Sequence, residues 1–380
     1  IYLATDEDRE GEAIAWHLQQ ALSLAEDTPR IVFHEITKGA ITDAISNPRT
    51  INTDLVNAQQ ARRIIDRLVG FEISPVLWRK ISGARSAGRV QSPVVRLVVE
   101  REREISAHSP VSSYKVKANL VNKSNQSLEV KLGKDFDSKE AAISFAEDLL
   151  RSDLSVESIE TKPSKRSPKA PFITSTLQQE ASQKLGFSVK QTMSIAQNLY
   201  REGAITYMRT DSLNLSEVAI SAAQDEIISK YGKDFHQVRR YKTSSTGAQE
   251  AHEAIRPTDL TKPTILGLDD QSAKLYSLIY KRTLASQMSD AQLQKTKITI
   301  SISERSENFI ADGEILSFAG FLEVYDYIAA EDKLLPEVAK GDVLSLLDMS
   351  SRESFSRAKP RYTEASLVKE IEQMGIGRPS

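Results

Sequence analysis

The sequence predicts a multi-domain α+β protein. Its 380 residues exceed what one hydrophobic core usually supports, which indicates at least two domains. Segments with the apolar spacing of helices alternate with segments of strand-like alternation, in the order α/β, α, β, α, β, α. This order predicts that the chain leaves domains and re-enters them.

The first fifty residues have the pattern of an α/β unit. "IYLAT" is typical of the end of a buried strand, and "GEAIAWHLQQAL" has helical periodicity. A second predicted strand, "RIVFHEI", precedes a predicted helix, "KGAITDAISN". The acidic residues between the first strand and the first helix therefore lie at a strand-to-helix turn.

Helical and strand patterns then alternate. From 52 to 108 the pattern is helical, interrupted by the loop "SGARSAGRVQSP", which opens the helix "PVVRLVVERERE". "SYKVKANL" and "SLEVKLG" predict an antiparallel pair of strands, and a helical stretch follows near 138–151.

The second half begins at "TKPSKRSPKAPF", whose proline and basic residues predict a linker or domain boundary. Helices are predicted from about 176 to 287, with "AITYMRTDS" and "AHEAIRPTDLTKP" as polar interruptions. Strands are predicted at "KITISIS", "NFIADGEILSFAG" and "VLSLLDM". "TEASLVKEIEQMG" has a threonine cap and helical spacing.

Composition excludes several classes of protein. The sequence has no apolar run long enough for a membrane span and no basic-then-apolar leader, so we expect a cytoplasmic protein without membrane association. Cysteine is absent, which excludes disulfides and thiolate-bound zinc from this stretch. Because the chain begins at Ile1 and ends within "GIGRPS", we expect a fragment.

Charge is distributed unevenly, although the net charge is only −2. Residues 61–103 contain ten arginines or lysines against four acids, a balance of +6. The first fifty residues contain nine acids against four bases, a balance of −5. This pattern fits a protein that contacts phosphates in one place and a metal ion in another.

The turn "TDEDREGE" places Asp6, Asp8, Glu10 and Glu12 within seven residues. Mg²⁺ prefers oxygen ligands, usually one or two carboxylates with water and phosphate, and a strand-end turn can bring such groups together. Acids at a helix N-terminus also complement the helix dipole without a metal. The Asp-x-Asp pair directly after a strand pattern favours the metal site.

The loop "AITYMRTDS" places Tyr207 two residues before Arg209. A phenol is a poor nucleophile at neutral pH unless its anion is stabilised, and a guanidinium can stabilise a phenolate or bind a phosphate. A tyrosine is more often structural. Asp211 and Ser212 are equally well explained by a turn that enters the next helix.

Two further segments suit phosphate binding. His252 in "EAHEAIRPT" would share a helical face with Arg256, although a surface histidine with ion pairs is the commoner arrangement. In the basic segment, Arg62, Arg63 and Arg67 accompany Phe71 and Trp78. Cations with interleaved aromatics suit single-stranded nucleic acid, and the alternative is a solvated basic face with both rings in the core. The loop "SAGRVQS" leads into a helix N-terminus, which favours phosphate.

Seven segments together resemble the bacterial topoisomerase I branch of the type IA DNA topoisomerases. They are "ATDEDREGEAIAWHL", "NAQQARRIIDRLVGFEISP", "SAGRVQSPVVRLVVEREREI", "PFITSTLQQEASQKLGFSVKQTMSIAQNLY", "AITYMRTDS", "EAHEAIRPT" and "RYTEASLVKEIEQMGIGRPS". The resemblance runs in order across nearly the whole chain.

The resemblance implies a partial Toprim domain followed by helical and β-arch domains that form a toroid. It divides the chain into a partial Toprim domain with the metal site (1–51), the first part of a helical DNA-binding domain (52–109), the first part of a β-arch domain (110–166), a helical domain with the active-site tyrosine (167–292), the return of the β-arch (293–326) and a truncated second part of the helical DNA-binding domain (327–380).

The resemblance also implies an activity, a magnesium cofactor and a set of site residues. Tyr207 would cleave one strand of DNA through a 5′-phosphotyrosyl link, allow strand passage and rejoin the strand, which relaxes negative supercoils without ATP. Arg209, His252 and Glu10 would assist this chemistry. Asp6, Asp8 and Glu10 would hold Mg²⁺. The implied DNA contacts are Arg62, Arg63, Asp66, Phe71, Trp78, Ser86, Ala87, Gly88, Arg89, Val90, Gln91, Arg209 and Arg378.

Some features separate this chain from the family pattern or leave alternatives. The family often has tyrosine where this chain has Phe71, and a catalytic glutamate strand would lie upstream of Ile1. We therefore expect this chain on its own to lack full relaxation activity, and robust relaxation of a plasmid by it would contradict that expectation. We also expect the protein to be a monomer. Met208 favours topoisomerase I over topoisomerase III or reverse gyrase. A Toprim nuclease or primase and a non-catalytic single-strand binder are the competing functions.

Overall fold

The computed structural model describes residues 1–242, 253–325 and 334–376, and the chain divides into two compact units. Unit 1 comprises Ile1–Glu102, Lys169–Met288 and Arg361–Ser380, and unit 2 comprises Arg103–Pro168 and Ser289–Pro360. Within these described ranges, none of the helices combines the length and apolar character that a membrane span requires.

The elements are numbered in chain order. The helices are α1 (Arg9–Ala21), α2 (Lys38–Ser46), α3 (Thr53–Leu68), α4 (Ser74–Lys80), α5 (Gln91–Ala107), α6 (Lys139–Leu149), α7 (Thr174–Leu185), α8 (Val189–Arg201), α9 (Glu217–Tyr231), α10 (Asp270–Ser286) and α11 (Glu364–Gln373). The strands are β1 (Ser112–Val121), β2 (Ser127–Leu132), β3 (Leu154–Arg166), β4 (Ala291–Ile302), β5 (Asn308–Phe318) and β6 (Val343–Phe355).

The two strands predicted near the start of unit 1 do not form. "IYLAT" and "RIVFHEI" make only isolated bridges, from Leu3 to Arg30 and from Arg30 to Arg49. Beyond Arg30, the carbonyl of His34 accepts a hydrogen bond from the backbone N–H of Tyr207 at 2.8 Å rather than from a strand. The segment therefore serves as a support for the tyrosine loop.

The basic segment of unit 1 is almost continuously helical. α3 begins at the Asn52 cap and passes through a five-residue π-helical turn, Val69–Ile73, directly into α4. α3 packs against α1, so the basic segment lies beside the helix that follows the acidic turn.

The helical core of unit 1 is built from α7, α8 and α10. Leu177, Leu199, Leu275 and Ile279 are fully buried among these helices. α11, which begins at its Thr363 cap, packs on α7. The loop that contains Tyr207 follows α8 and is anchored on this rigid core.

Unit 2 is a closed antiparallel barrel with the strand order β1-β2-β5-β4-β3-β6. Alternate residues of β2 are buried, and α6 adds Phe145 to the interior. The Phe145 ring contacts Phe136 and Phe309 at centroid distances of 5.2 and 6.2 Å. The strands and helices of the two units confirm the α+β class.

The predicted linker "TKPSKRSPKAPF" is only partly a connection. Its first six residues belong to β3, where Pro163 lies opposite Gln294 of β4. Proline lacks a backbone N–H and is tolerated at a strand edge. Among the described residues, the part of β3 that pairs with β6 is Leu154 and Ser155. The edge of β3 near Pro163 therefore has no pairing with β6 within these ranges. The boundary between the units, at Pro168 and Lys169, falls within the second half of the segment.

Candidate active site

The tyrosine loop, residues 204–212, is held by buried backbone and hydroxyl hydrogen bonds. The Thr206 hydroxyl donates to the Ala254 carbonyl at 2.7 Å, and the Thr206 N–H donates to the Arg256 carbonyl at 2.9 Å. On the other side of the loop, the Thr174 hydroxyl donates to the Met208 carbonyl at 2.7 Å. An irregular loop held at this many points can fix the direction of one side chain.

Tyr207 is directed into the protein, toward the acidic turn. Its side chain is only 3% exposed, and its hydroxyl donates to Asp8 Oδ2 at 2.8 Å. The ring of Tyr200 lies edge-on to it at 5.2 Å between centroids. Burial, followed by the charge of Asp8 and the hydrogen bond to it, raises the pKa of Tyr207. The phenol is therefore protonated at neutral pH.

Arg209 supplies a cation at the same place. Its Nη1 lies 3.8 Å from Asp8 Oδ2, the oxygen that accepts the tyrosine hydrogen bond. The Arg209 side chain is 37% exposed, so a phosphate from solution can approach it. The loop and the acidic turn thus bring a phenol, a carboxylate and an accessible guanidinium together. The spacing of Tyr207 and Arg209 indicated the phenol and the guanidinium but not the carboxylate of Asp8.

The acidic turn is fixed by the N-terminus of α1. Asp8 is the N-cap, and its Oδ1 accepts the Gly11 N–H at 2.8 Å. A Cβ at Gly11 would lie 2.0 Å from the Asp6 carbonyl oxygen, so only glycine allows this close approach. Desolvation, followed by the charge of Asp8, raises the pKa of Asp6.

The four acids of the turn that the sequence singled out, Asp6, Asp8, Glu10 and Glu12, lie in different environments. Glu10 accepts a hydrogen bond from Gln59 Nε2 of α3 at 2.9 Å. Glu12 is fully buried and binds two arginines, Arg49 at 2.6 Å and Arg30 at 3.4 Å. Asp6 and Asp8 remain together on the side of Tyr207.

Asp6 and Asp8 are the carboxylates of the turn that suit a magnesium ion. In the part of the chain that the structure describes, no group of three or more histidine, aspartate or glutamate side chains converges. Asp6 and Asp8 are nonetheless close enough that one carboxylate raises the pKa of the other. Two carboxylates fit Mg²⁺, which takes its remaining ligands from water and phosphate. Glu10 faces Gln59 and not this pair.

A groove of about 720 Å³ follows the basic segment of unit 1. Phe71 and Trp78 line it with 70% and 58% exposure, so the alternative that placed these rings in the core is wrong. The lining residues are Glu10, Gln59, Arg62, Arg63, Asp66, Arg67, Gly70, Phe71, Ser74, Pro75, Trp78 and Ser86. Six predicted DNA contacts and Glu10 therefore share one surface, which also includes Gln59, a residue that the sequence did not single out.

The loop from Ser86 to Gln91 contributes only its first residue to the lining of this groove. Arg89 Nε donates to Asp66 at 2.8 Å, and the Ala87 N–H donates to the Ser74 hydroxyl at 3.0 Å. Gln91 bonds back to the Ser86 hydroxyl at 3.0 Å. Arg89 and Ala87 therefore hold the loop against α3 and α4. The predicted contacts that do not line the groove are Ala87, Gly88, Arg89, Val90 and Gln91.

Two predicted site residues, His252 and Arg378, lie outside the described residues. The helical face predicted for His252 and Arg256 does not extend to Arg256, which lies between the bridge residues Ile255 and Pro257. Arg256 is buried, and its Nη2 binds Glu253 at 2.7 Å and Glu35 at 3.0 Å. Sequence reasoning missed the pair with Glu35 because Glu35 and Arg256 are far apart in the chain, whereas Glu253 is only three residues from Arg256.

The pair formed by Glu7 and His34 was missed for the same reason. His34 Nδ1 makes a short contact with Glu7 Oε2, and Glu7 is 8% exposed. The hydrogen bond from His34 to Glu7 is the largest of the effects that raise the pKa of His34. Two features of the sequence could have identified the pair. Glu7 is an acid between the candidate metal ligands Asp6 and Asp8, and His34 is a histidine in the next apolar segment, "RIVFHEI".

Comparison with known proteins agrees with this geometry. A family model described as DNA topoisomerase matches residues 50–380, and a model of the Toprim domain matches residues 1–36. The DNA topoisomerase 1 proteins of Streptomyces coelicolor and Haemophilus influenzae are each 46% identical over the whole chain. The chain spans less than half of these relatives, 44% and 45% of their lengths.

A solved structure gives the same result. The full-length topoisomerase I from Thermotoga maritima matches 99% of this chain and 63% of its own, with 38% identity and a TM-score of 0.86. Together with the family models, this match confirms the resemblance seen in the sequence, including the topoisomerase I branch that Met208 favoured. The chain belongs to the bacterial DNA topoisomerase I family of type IA topoisomerases.

Proposed function

We propose that this chain carries the strand-cleaving centre of a type IA DNA topoisomerase, with Tyr207 as the nucleophile. The observation that supports this most directly is the hydrogen bond of 2.8 Å from the Tyr207 hydroxyl to Asp8, with Arg209 beside the same carboxylate oxygen. A nucleophile bonded to a base, with a cation at hand for the phosphate, is the arrangement that phosphodiester transfer requires.

In the cleavage step, the Tyr207 oxygen forms a bond to phosphorus while the bond from phosphorus to the 3′ oxygen breaks. The tyrosine proton passes toward Asp8 Oδ2, which already accepts its hydrogen bond. Because burial and the neighbouring carboxylates raise the pKa of Tyr207, the proton leaves during attack and not beforehand. The 3′ oxygen takes up a proton, and His252 is the group that we propose for this relay.

Religation reverses the step. The 3′ hydroxyl attacks the phosphotyrosyl phosphorus, the Tyr207 oxygen leaves, and the proton returns to it. One bond replaces another of similar kind, so no ATP is consumed. Between the two steps, passage of the other strand would relax a negatively supercoiled molecule.

Asp6 and Asp8 are the proposed ligands of a Mg²⁺ ion, whereas Glu10, which the resemblance also implied as a ligand, accepts a hydrogen bond from Gln59 beside the groove. When bound, the cation would supply positive charge that offsets the carboxylates and stabilises the reacting phosphate. The chain itself positions the two aspartates through the Asp8 cap and the close contact at Gly11.

The groove beside α3 and α4 is the proposed path of a single DNA strand. Arg62 and Arg63 would contact phosphates, and the exposed rings of Phe71 and Trp78 would stack on unpaired bases. Trp78→Ala should weaken binding of a single-stranded oligonucleotide by about 1–3 kcal/mol, measured by fluorescence anisotropy. Arg378 remains a proposed contact outside the described residues. We propose that the protein acts on DNA as a monomer in the bacterial cytoplasm.

Trapping the covalent intermediate tests the proposal. The protein, with any sequence that flanks the chain in its gene, is mixed with a single-stranded oligonucleotide, denatured and analysed by mass spectrometry. An adduct on Tyr207 is expected, Tyr207→Phe should abolish it, and Tyr200→Phe, which removes the neighbouring hydroxyl, should retain it. Cleavage without an adduct would indicate a nuclease, and binding without cleavage would indicate a strand binder. Either result would overturn the proposal.

A further inference from the structure

The segment from His34 to Ile36 contacts the acidic turn and the tyrosine loop at the same time. The backbone carbonyl of His34 accepts the Tyr207 N–H at 2.8 Å, and the imidazole of the same residue contacts the carboxylate of Glu7. Glu7 lies between the two aspartates of the turn and is 8% exposed. His34 therefore contacts both the tyrosine loop and the acidic turn.

These contacts form a closed circuit. Tyr207 is bonded through its backbone to His34, and the His34 side chain is bonded to Glu7. Glu7 is covalently joined to Asp8, and Asp8 Oδ2 accepts the hydroxyl of Tyr207 at 2.8 Å. Within this circuit, the contact of Glu7 with His34 and that of Asp8 with Tyr207 are the side-chain links between the turn and the rest of the site.

Glu35 and Ile36, the other two residues of the segment, also lie against the tyrosine loop and its neighbour Arg256. A Cβ at Gly203, whose φ is +71°, would lie 2.6 Å from the Ile36 carbonyl oxygen, so the two backbones are in close contact. Glu35 binds Arg256 at 3.0 Å, and the Arg256 carbonyl in turn accepts the Thr206 N–H at 2.9 Å. The segment and the loop therefore behave as one body, to which the acidic turn is joined through Glu7.

We propose that Glu7 and His34 are positioning residues that set Asp8 against the Tyr207 hydroxyl. The inference rests on the proposed function, since it concerns the geometry of the same nucleophile. Neither residue lines the groove, so the pair contributes to the rate of strand cleavage and not to strand binding. Loss of the pair leaves Asp8 to join the turn to the tyrosine loop, through the Tyr207 hydroxyl at 2.8 Å and the Arg209 guanidinium at 3.8 Å.

The test uses Glu7→Ala, His34→Ala, the double variant and His34→Asn in the protein with any flanking sequence. An asparagine amide places an N–H near the position of Nδ1, so His34→Asn should preserve the contact. His17→Ala, which removes an exposed histidine of α1, is the matched control. Single-turnover cleavage, oligonucleotide affinity and hydrogen–deuterium exchange at the Tyr207 amide are measured for each.

We expect both alanine variants to cleave about 10- to 100-fold more slowly, because small displacements of reacting groups have effects of this size. Oligonucleotide affinity should stay unchanged, and the Tyr207 amide should exchange several-fold faster. The double variant should be no slower than either single variant, since both remove one contact. His34→Asn should recover most of the rate, and His17→Ala should match the unmodified protein.

Several outcomes would overturn the inference. These are unchanged cleavage and exchange in both alanine variants, additive losses in the double variant, or a rate loss fully explained by weaker oligonucleotide binding. Failure of the unmodified protein to form the Tyr207 adduct would instead refute the proposed function. In that case the exchange measurement would still decide whether the contact orders the tyrosine loop.

Discussion

Replacement of Gly11 by alanine should displace the acidic turn. The new Cβ would lie 2.0 Å from the Asp6 carbonyl oxygen, and an ordinary contact begins near 3.4 Å. The two atoms must therefore separate by about 1.4 Å, and the obstacle is backbone that cannot rotate away. Overpacking of this kind lowers the free energy of unfolding by about 3 kcal/mol, and the better helix propensity of alanine offsets about 1 kcal/mol of that loss. The net loss of unfolding free energy is about 2 kcal/mol.

The same displacement should slow cleavage, since a shift of about 1 Å at reacting groups can cost a hundredfold in rate. Chemical denaturation and single-turnover oligonucleotide cleavage measure the two effects. Gly39→Ala is the matched control, because this helical glycine of α2 has nothing within 4 Å of a new Cβ. It should be neutral or stabilising by up to about 1 kcal/mol, with normal cleavage. Equal stability and equal cleavage in the two variants would refute the reasoning.

Three further results are expected. Arg63→Ala should weaken single-strand binding and flatten its salt dependence by about one phosphate contact, and an unchanged slope would contradict the groove assignment. Asp6→Asn should raise the Mg²⁺ concentration needed for half-maximal activity far more than Glu10→Gln does, and the reverse order would exclude the proposed pair of aspartates. Burial opposes ionisation of Glu253, but Arg256 lowers its pKa below 4.5. The contribution of ionised Glu253 to the free energy of unfolding should be complete above about pH 4.5 and lost as the pH falls through the lowered pKa. Chemical denaturation at a series of pH values should show this loss in the unmodified protein and not in Glu253→Gln.

The sequence predicted helices well because their signals are local. α1, α2 and α11 are capped by Asp8, Thr37 and Thr363, and each of these side chains accepts a backbone hydrogen bond of its own helix. The pairing of β1 with β2 was also predictable, since alternating burial and a short connection specify it. Such features require only a few neighbouring residues.

The wrong predictions concern features that depend on distant partners. "RIVFHEI" has strand propensity, but its backbone bonds to Leu3 and Arg49 make only isolated bridges, and the carbonyl of His34 accepts the N–H of Tyr207, more than 170 residues away. The prolines of the predicted linker suggested a connection, whereas β4 pairs with β3 as far as Arg166 and so makes the first half a strand. The ion pairs of Arg256 and His34 likewise join segments that no local pattern relates.

The spacing of the acidic turn explains why the four carboxylates at its alternate positions, Asp6, Asp8, Glu10 and Glu12, separate. Residues two apart point to the same face of a strand, but successive residues of an α-helix turn by about 100°, so residues two apart differ by about 200°. α1 begins at Arg9, within the motif. Asp6 and Asp8 precede the helix and stay together, whereas Glu10 faces Gln59 at the groove and Glu12 faces Arg30 and Arg49 in the interior. One acidic motif thereby supplies a carboxylate pair beside Tyr207, a carboxylate beside the proposed DNA path and a buried structural anion.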